Sequence, residues 1–129
     1  MPLRAVILDT NFLLVPFQQK IDILSELDYL LDFSHRYVVS SRTVSELKRL
    51  GKNKGRKGMA ARLALKLLEA NADRIEKLAS RLPVDEWIVR YAEKTGAVVC
   101  TNDRKLRKRL KARNIKIIAL KGKSKVGFV

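Results

Sequence analysis

A three-layer α/β sandwich with a central, mainly parallel sheet is the fold class this sequence predicts, on three observations. Short apolar runs alternate along the chain with longer segments of helical period, the pattern of β–α units. The runs are apolar at consecutive positions, as strands covered on both faces must be. The 129 residues amount to a single domain, and 47% hydrophobic against 32% charged residues is a globular balance.

Leu3 to Leu8 reads as the first strand, ending at Asp9-Thr10-Asn11. Ile21, Leu24, Leu27, Leu30 and Leu31 recur at helical spacing and predict a helix from Lys20 to Phe33. Tyr37 to Val39 is a second strand. Thr43 and Glu46 match a capping box opening a helix that runs to Leu50. Gly51 to Gly58 holds three glycines, four cations and no apolar residue, and reads as a mobile basic loop. Leu63, Leu67 and Leu68 predict a helix from Ala60 to Ala70. Residues 73–82 fit a helix, through Ile75 and Leu78, better than a strand. After Pro83 a helix runs from Val84 to Thr95, with Gly96 as its stop. Ala97 to Thr101 is a strand, Asn102 caps a helix from Asp103 to Arg113, and Ile115 to Leu120 is the last strand. The basic tail, 121–129, reads as flexible, with Val126, Phe128 and Val129 available to tack it down.

The 28 Lys and Arg exceed the 13 Asp and Glu, for a formal net charge of +15 that suits a polyanionic partner. The single cysteine, Cys100, excludes an internal disulfide and a Cys-based zinc site, and fits a reducing cytoplasm. It reads as a buried apolar side chain, not a nucleophile, and Trp87 as a core residue. No apolar stretch is long enough to cross a membrane, and Asp9 and Asn11 interrupt the N-terminal apolar segment where a signal peptide would be uniform.

Parallel sheets carry their functional groups at the carboxyl ends of strands. Asp9 and Asp103 fall there, while Glu46 and Asp85 fall in the first turns of helices that start on the same rim. Each acid alone has an ordinary explanation: Asp9 and Asp103 as helix caps, Glu46 in its capping box, Asp85 or Glu86 facing a helix dipole. Together they need a further one, since carboxylates brought close repel unless a cation holds them. A hard divalent ion such as Mg²⁺ or Mn²⁺ takes oxygen ligands and is the reagent of nucleases. The only histidine is His35, which reads as a boundary residue.

These residues resemble a known family. Asp9-Thr10-Asn11 after a VIL strand, Glu46 in SELKRL, Asp85 in VDEWIVRYA and Thr101-Asn102-Asp103 after an apolar strand are similar to the PIN domain (PilT N-terminus), over Leu3 to Leu120. The likeness is to the archaeal branch, to VapC-type toxins and to the nuclease of the small-subunit processome. It implies a metal-dependent ribonuclease, with Asp9, Glu46, Asp85 and Asp103 as ligands of Mg²⁺ or Mn²⁺. Asn11 and Thr101 match polar residues that orient ligands or water. Of Asp85 and Glu86, about 100° apart on a helix, one faces the site, and Asp85 suits the pattern better. The resemblance leaves open a toxin role, with an antitoxin partner, or a role in rRNA or tRNA processing; it also implies a homodimer.

The cations are concentrated. Residues 47–66 carry eight and residues 104–129 carry eleven, neither segment with a single acid. Lys48, Arg49, Lys52, Lys54, Arg56, Lys57, Arg104, Lys105 and Lys108 are the expected RNA contacts, flanking Glu46 and Asp103. Few aromatics lie in these segments, so base stacking is not expected to supply specificity. Three other readings compete, of which a membrane-surface protein would need an amphipathic helix that the dispersed apolar residues do not give. A phosphohydrolase with Asp9 as nucleophile needs an acid two residues on, where Asn11 stands. A non-catalytic RNA-binding module explains the charge but not four acids on one rim.

Overall fold

The computed structural model describes residues 3–129. The chain begins in β1 (Arg4–Leu8), and two short helices, α1 (Thr10–Leu13) and α2 (Val15–Gln19), follow before α3 (Ile23–Leu30) and β2 (His35–Ser40). The next elements are α4 (Ser41–Leu50), α5 (Arg56–Ala70), β3 (Ile75–Leu78) and α6 (Val84–Thr95). The chain closes through β4 (Val98–Cys100), α7 (Arg104–Lys111), β5 (Ile117–Lys121) and β6 (Lys125–Phe128).

Among the described residues the sheet has six strands in the order β3-β2-β1-β4-β5-β6, parallel except for β6. Strand alternation divides the core between its two faces. Val6, Leu8, Val39 and Cys100 pack with Phe12, Leu27, Leu47 and Ala61 on the side of α1 to α5. Ala5, Ile7, Val38 and Val99 pack with Trp87, Ile88, Leu106 and Leu110 on the side of α6 and α7. Both faces are covered, so the central strands are apolar at consecutive buried positions, Ala5–Leu8 in β1 and Val98–Cys100 in β4, and the mixed α/β fold class stands as expected.

This order creates one topological switch. From β1 the chain moves outward to β2 and β3, then returns to lay β4 on the other side of β1. The register pairs Leu8 with Cys100, and the Asp9 amide donates to the Cys100 carbonyl at 3.0 Å. Ligands of open α/β sheets bind outside the strand ends at such a switch. Asp9 and Thr101 leave their strands there.

Several local expectations need correction. The helix expected over Lys20–Phe33 is the shorter α3, because the Asp22 side chain accepts from the Ser25 amide at 3.2 Å and fixes the start. Lys20 instead adopts the left-handed conformation, φ 54°, and ends α2. The Thr43–Glu46 capping box does not form. Ser40 caps α4, its hydroxyl accepting from the Arg42 amide at 3.1 Å, which puts Thr43 in the buried interior and Glu46 in the second turn. Residues 75–78 are strand rather than helix: Tyr37 pairs with Ile75 and Ser40 with Leu78 along the sheet edge. Asp103, not Asn102, caps α7, because the Asn102 side chain is occupied by the Leu120 amide at 2.8 Å.

The expected basic loop is a closed turn. Arg62 donates to the Gly51 and Asn53 carbonyls at 2.6 and 3.2 Å, and α5 already starts at Arg56. The tail is a hairpin: β6 pairs antiparallel with β5 across a turn holding Gly122 at φ 65°, and Val126 is buried. Trp87 is buried in a stack on Tyr91, and Cys100 is fully buried, both as expected. His35 is a boundary residue 3.2 Å from Asp28. Among the described residues no helix is long and apolar enough to cross a membrane.

Candidate active site

At the switch point the end of β1 turns straight into α1, and Asp9 is the cap. Its Oδ1 accepts from the Thr10 amide at 2.8 Å, and its Oδ2 accepts from the Thr101 hydroxyl at 2.6 Å. Both bonds fix the carboxyl in one orientation. Asp9 is 4% exposed, and burial pushes its pKa up to about 6, against the opposing pull of the Thr101 and Thr10 hydrogen bonds. The negative charges of Asp85 and Asp103 push the same way as burial. A carboxyl so placed is costly to ionise in the absence of a cation.

The Thr101 hydroxyl also accepts from the Asp103 amide at 3.1 Å. One buried hydroxyl thereby ties the end of β1 to the start of α7. Asn11 adds a second tie, accepting from the Asn102 amide through Oδ1 at 3.0 Å. Thr101 lies beneath the cleft floor, and Asn11 on its lining. Asp103 uses Oδ1 to cap α7, accepting from Leu106 at 3.1 Å.

Asp9, Glu46, Asp85 and Asp103 line one cleft of about 360 Å³, together with Arg49 and Lys57. The Asp85 carboxyl is raised in pKa by partial burial and then by Asp103, with Arg109 opposing. Glu86 points elsewhere and pairs with Arg109 at 2.7 Å, so of the two neighbouring acids Asp85 faces the cleft. All five ion pairs among the described residues use other acids: Asp28, Glu76, Glu86 and Glu93. Four acids therefore stay outside ion pairs although cations outnumber acids two to one.

These four are hard oxygen donors, and the repulsion among Asp9, Asp85 and Asp103 is what a divalent cation would relieve. They line the walls of an open cleft. Among the described residues no three His, Cys, Asp or Glu side chains are arranged to enclose an ion directly. The donor chemistry of the set is that of a hard divalent ion such as Mg²⁺ or Mn²⁺.

The cations sort by helical position. Arg49 and Lys57 reach the acid cleft, and Arg56 lines an adjoining cavity. Lys48, a helical step from Arg49, instead edges a groove between α4, α5 and β3. Lys52 and Lys54 are exposed in the turn before α5, and Arg104, Lys105 and Lys108 are exposed or nearly so on α7, outside the cleft lining. Two cations escaped the sequence reading. Arg42 lines a cavity beside the cleft, one turn before Glu46 on α4, a spacing that was legible. Lys20 lines another, and nothing local to its sequence signals that.

A profile of the PIN like domain family matches residues 6–123. The chain belongs to that family. Among curated proteins it is 32% identical over 124 residues to "Ribonuclease VapC9" of Archaeoglobus fulgidus, covering 95% of this chain and 87% of that one. It is 33% identical over 122 residues to "Ribonuclease VapC4" of Methanocaldococcus jannaschii, covering 92% and 91%. Among solved structures, the PIN domain endonuclease Utp24 superposes with a TM-score of 0.80 at 28% identity, over 96% of this chain and 90% of that one. VapBC-1 from nontypeable Haemophilus influenzae shares the fold, with a TM-score of 0.57 at 21% identity over 84% and 93%.

Proposed function

We propose that this protein is a metal-dependent endoribonuclease that hydrolyses RNA phosphodiester bonds. The observation that carries the reading is the set of four acids outside ion pairs in one cleft, drawn from stretches up to 94 residues apart and flanked by Arg49 and Lys57. The relatives named as ribonucleases support it from a separate direction.

Asp9, Glu46, Asp85 and Asp103 are the residues that would hold Mg²⁺ or Mn²⁺. Such an ion, when bound, supplies Lewis acidity toward phosphate oxygens and acidifies water at neutral pH. Thr101 and the Thr10 amide hold the Asp9 carboxyl in place, so orientation is settled before substrate arrives. Arg49 and Lys57 offset the phosphodiester's charge at the mouth of the cleft. In-line attack by water leaves a 5′-phosphate and a 3′-hydroxyl.

Labelled RNA incubated with Mn²⁺ tests the reading. Wild-type protein is expected to cut it, EDTA to stop the reaction, and Asp9→Asn and Asp103→Asn to be inactive while folded. Metal-independent cleavage, or full activity in both variants, overturns the proposal. The family resemblance leaves two cellular roles: a toxin held in check by an antitoxin, and RNA processing. Expression alone in a reducing cytoplasm separates them. A toxin arrests growth until its antitoxin is supplied, and a processing factor does not.

A further inference from the structure

The acid cleft does not end at its own walls. On one side it shares Glu46, Arg49 and Val84 with a cavity of about 430 Å³ that also holds Arg42 and Pro83. On the other side it shares Lys57 with a cavity of about 640 Å³ between α2 and the start of α5. The acid cleft thus adjoins a cavity on either flank through these shared residues.

The two flanks differ in chemistry. The first offers the guanidinium groups of Arg42 and Arg49, the Ser45 hydroxyl, the Glu46 carboxylate and small apolar carbons, with neither an aromatic ring nor a side-chain amide. The second is lined by Phe17, Gln18, Lys20, Arg56 and Lys57. An aromatic face, an amide that both donates and accepts, and three cations without an acid match a nucleotide in each of its parts. The volume lies within the ~300–1,000 Å³ of small-ligand pockets. Phe17 packs on the larger core and is partly buried, so the ring is held in place before a base arrives.

We propose that this second cavity is a base-binding subsite: it takes one unpaired nucleotide of the RNA next to the bond that is cut, stacking the base on Phe17 and reading its edge through Gln18. Lys57 and Arg56 hold its phosphates, and Lys57 connects it to the acid cleft. The opposite flank tracks the backbone alone. Sequence preference therefore lies on one side of the cut, and the substrate is single-stranded there. This rests on the nuclease reading for the position of the cut, but not for binding itself.

The test uses short single-stranded RNAs carrying 2-aminopurine at successive positions, bound to the full chain in EDTA. Quenching is expected at one position, and it is expected to weaken in Phe17→Leu. Affinity is expected to fall about fivefold or more in that variant, on the scale of one lost base stack. Gln18→Ala, at an exposed position, is expected to flatten base preference at that position in a Mn²⁺ cleavage map. Unchanged quenching, affinity and cleavage map in both variants, with melting temperatures like wild type, would overturn the subsite. Quenching that behaves as expected in a protein that never cuts RNA would retain the subsite and remove the nuclease reading instead.

Discussion

Asp9 carries the most consequence per atom. Its folded carboxyl, near 6, holds a proton more tightly than an unfolded one near 3.8. The native state therefore binds more protons than the unfolded chain between those values, and stability falls as pH rises through that window. The loss amounts to about 3 kcal/mol once the group is ionised, in the absence of a divalent ion. Asp9→Asn is expected to melt higher than wild type at pH 7 in EDTA and to flatten the slope between pH 4 and 6, while abolishing cleavage. Equal melting curves at pH 7 would contradict the burial argument. Added Mn²⁺ is expected to raise the melting temperature of wild type and not of this variant.

Thr101 is a positioning residue at the same scale. Thr101→Val removes the donor to Asp9 and the acceptor for the Asp103 amide, at a cost of about 1–3 kcal/mol for the buried group left unpaired. Since that hydroxyl lowers the Asp9 pKa, the acid limb of the pH–rate profile is expected to move to higher pH in Thr101→Val. Thr101→Ser is expected to restore it. A purely structural role would lower stability without moving the limb.

At the scale of elements, the turn from α4 into α5 decides where Arg49, Arg56 and Lys57 stand. Gly58 lies in the first turn of α5 against the Asn53 backbone, and a Cβ there would sit 1.8 Å from the Asn53 carbonyl oxygen. Backbone must shift to admit it. Gly58→Ala is expected to destabilise the protein by about 1–3 kcal/mol, as overpacking does, and to weaken RNA binding by displacing Lys57. Denaturant titration and binding on the same sample check both. A neutral Gly58→Ala would mean that the close approach is not needed.

The elements also mark how far a sequence can be read. β1, β2, α6, β4 and α7 were legible because each has an apolar run or a clean 3.6-residue period. β3 was not, since four edge residues with Ile75 buried, Glu76 and Lys77 exposed and Leu78 half-buried fit a helical turn as well as a strand. The cap of α4 was misplaced for a related reason. Ser40, Ser41 and Thr43 all carry hydroxyls, and which one caps depends on where β2 stops pairing with β3.

For the whole molecule, charge and cleft combine into a prediction about salt. With Lys20, Arg42, Arg49, Arg56 and Lys57 lining the cleft and the cavities on its flanks, log affinity for single-stranded RNA is expected to fall against log salt with a slope of about −3.5, at ~0.7 per phosphate contact. A flat dependence, measured by filter binding at fixed pH, would mean that the cleft and its flanks are not the path of the backbone.

The apolar periodicity and the placement of acids after apolar runs determined the layered fold and the four acids of the cleft by sequence alone, because burial on two faces and the rim of a parallel sheet leave few alternatives. What tertiary structure alone decided was company. Asp85 rather than Glu86 turns to the cleft because Arg109 of α7 takes Glu86. Phe17 and Lys20 come beside Arg56 and Lys57 only because α2 meets α5 across a long gap in the chain. Spacing along a helix or strand is set by local geometry, whereas contacts between distant segments are set by packing, and no local pattern encodes them.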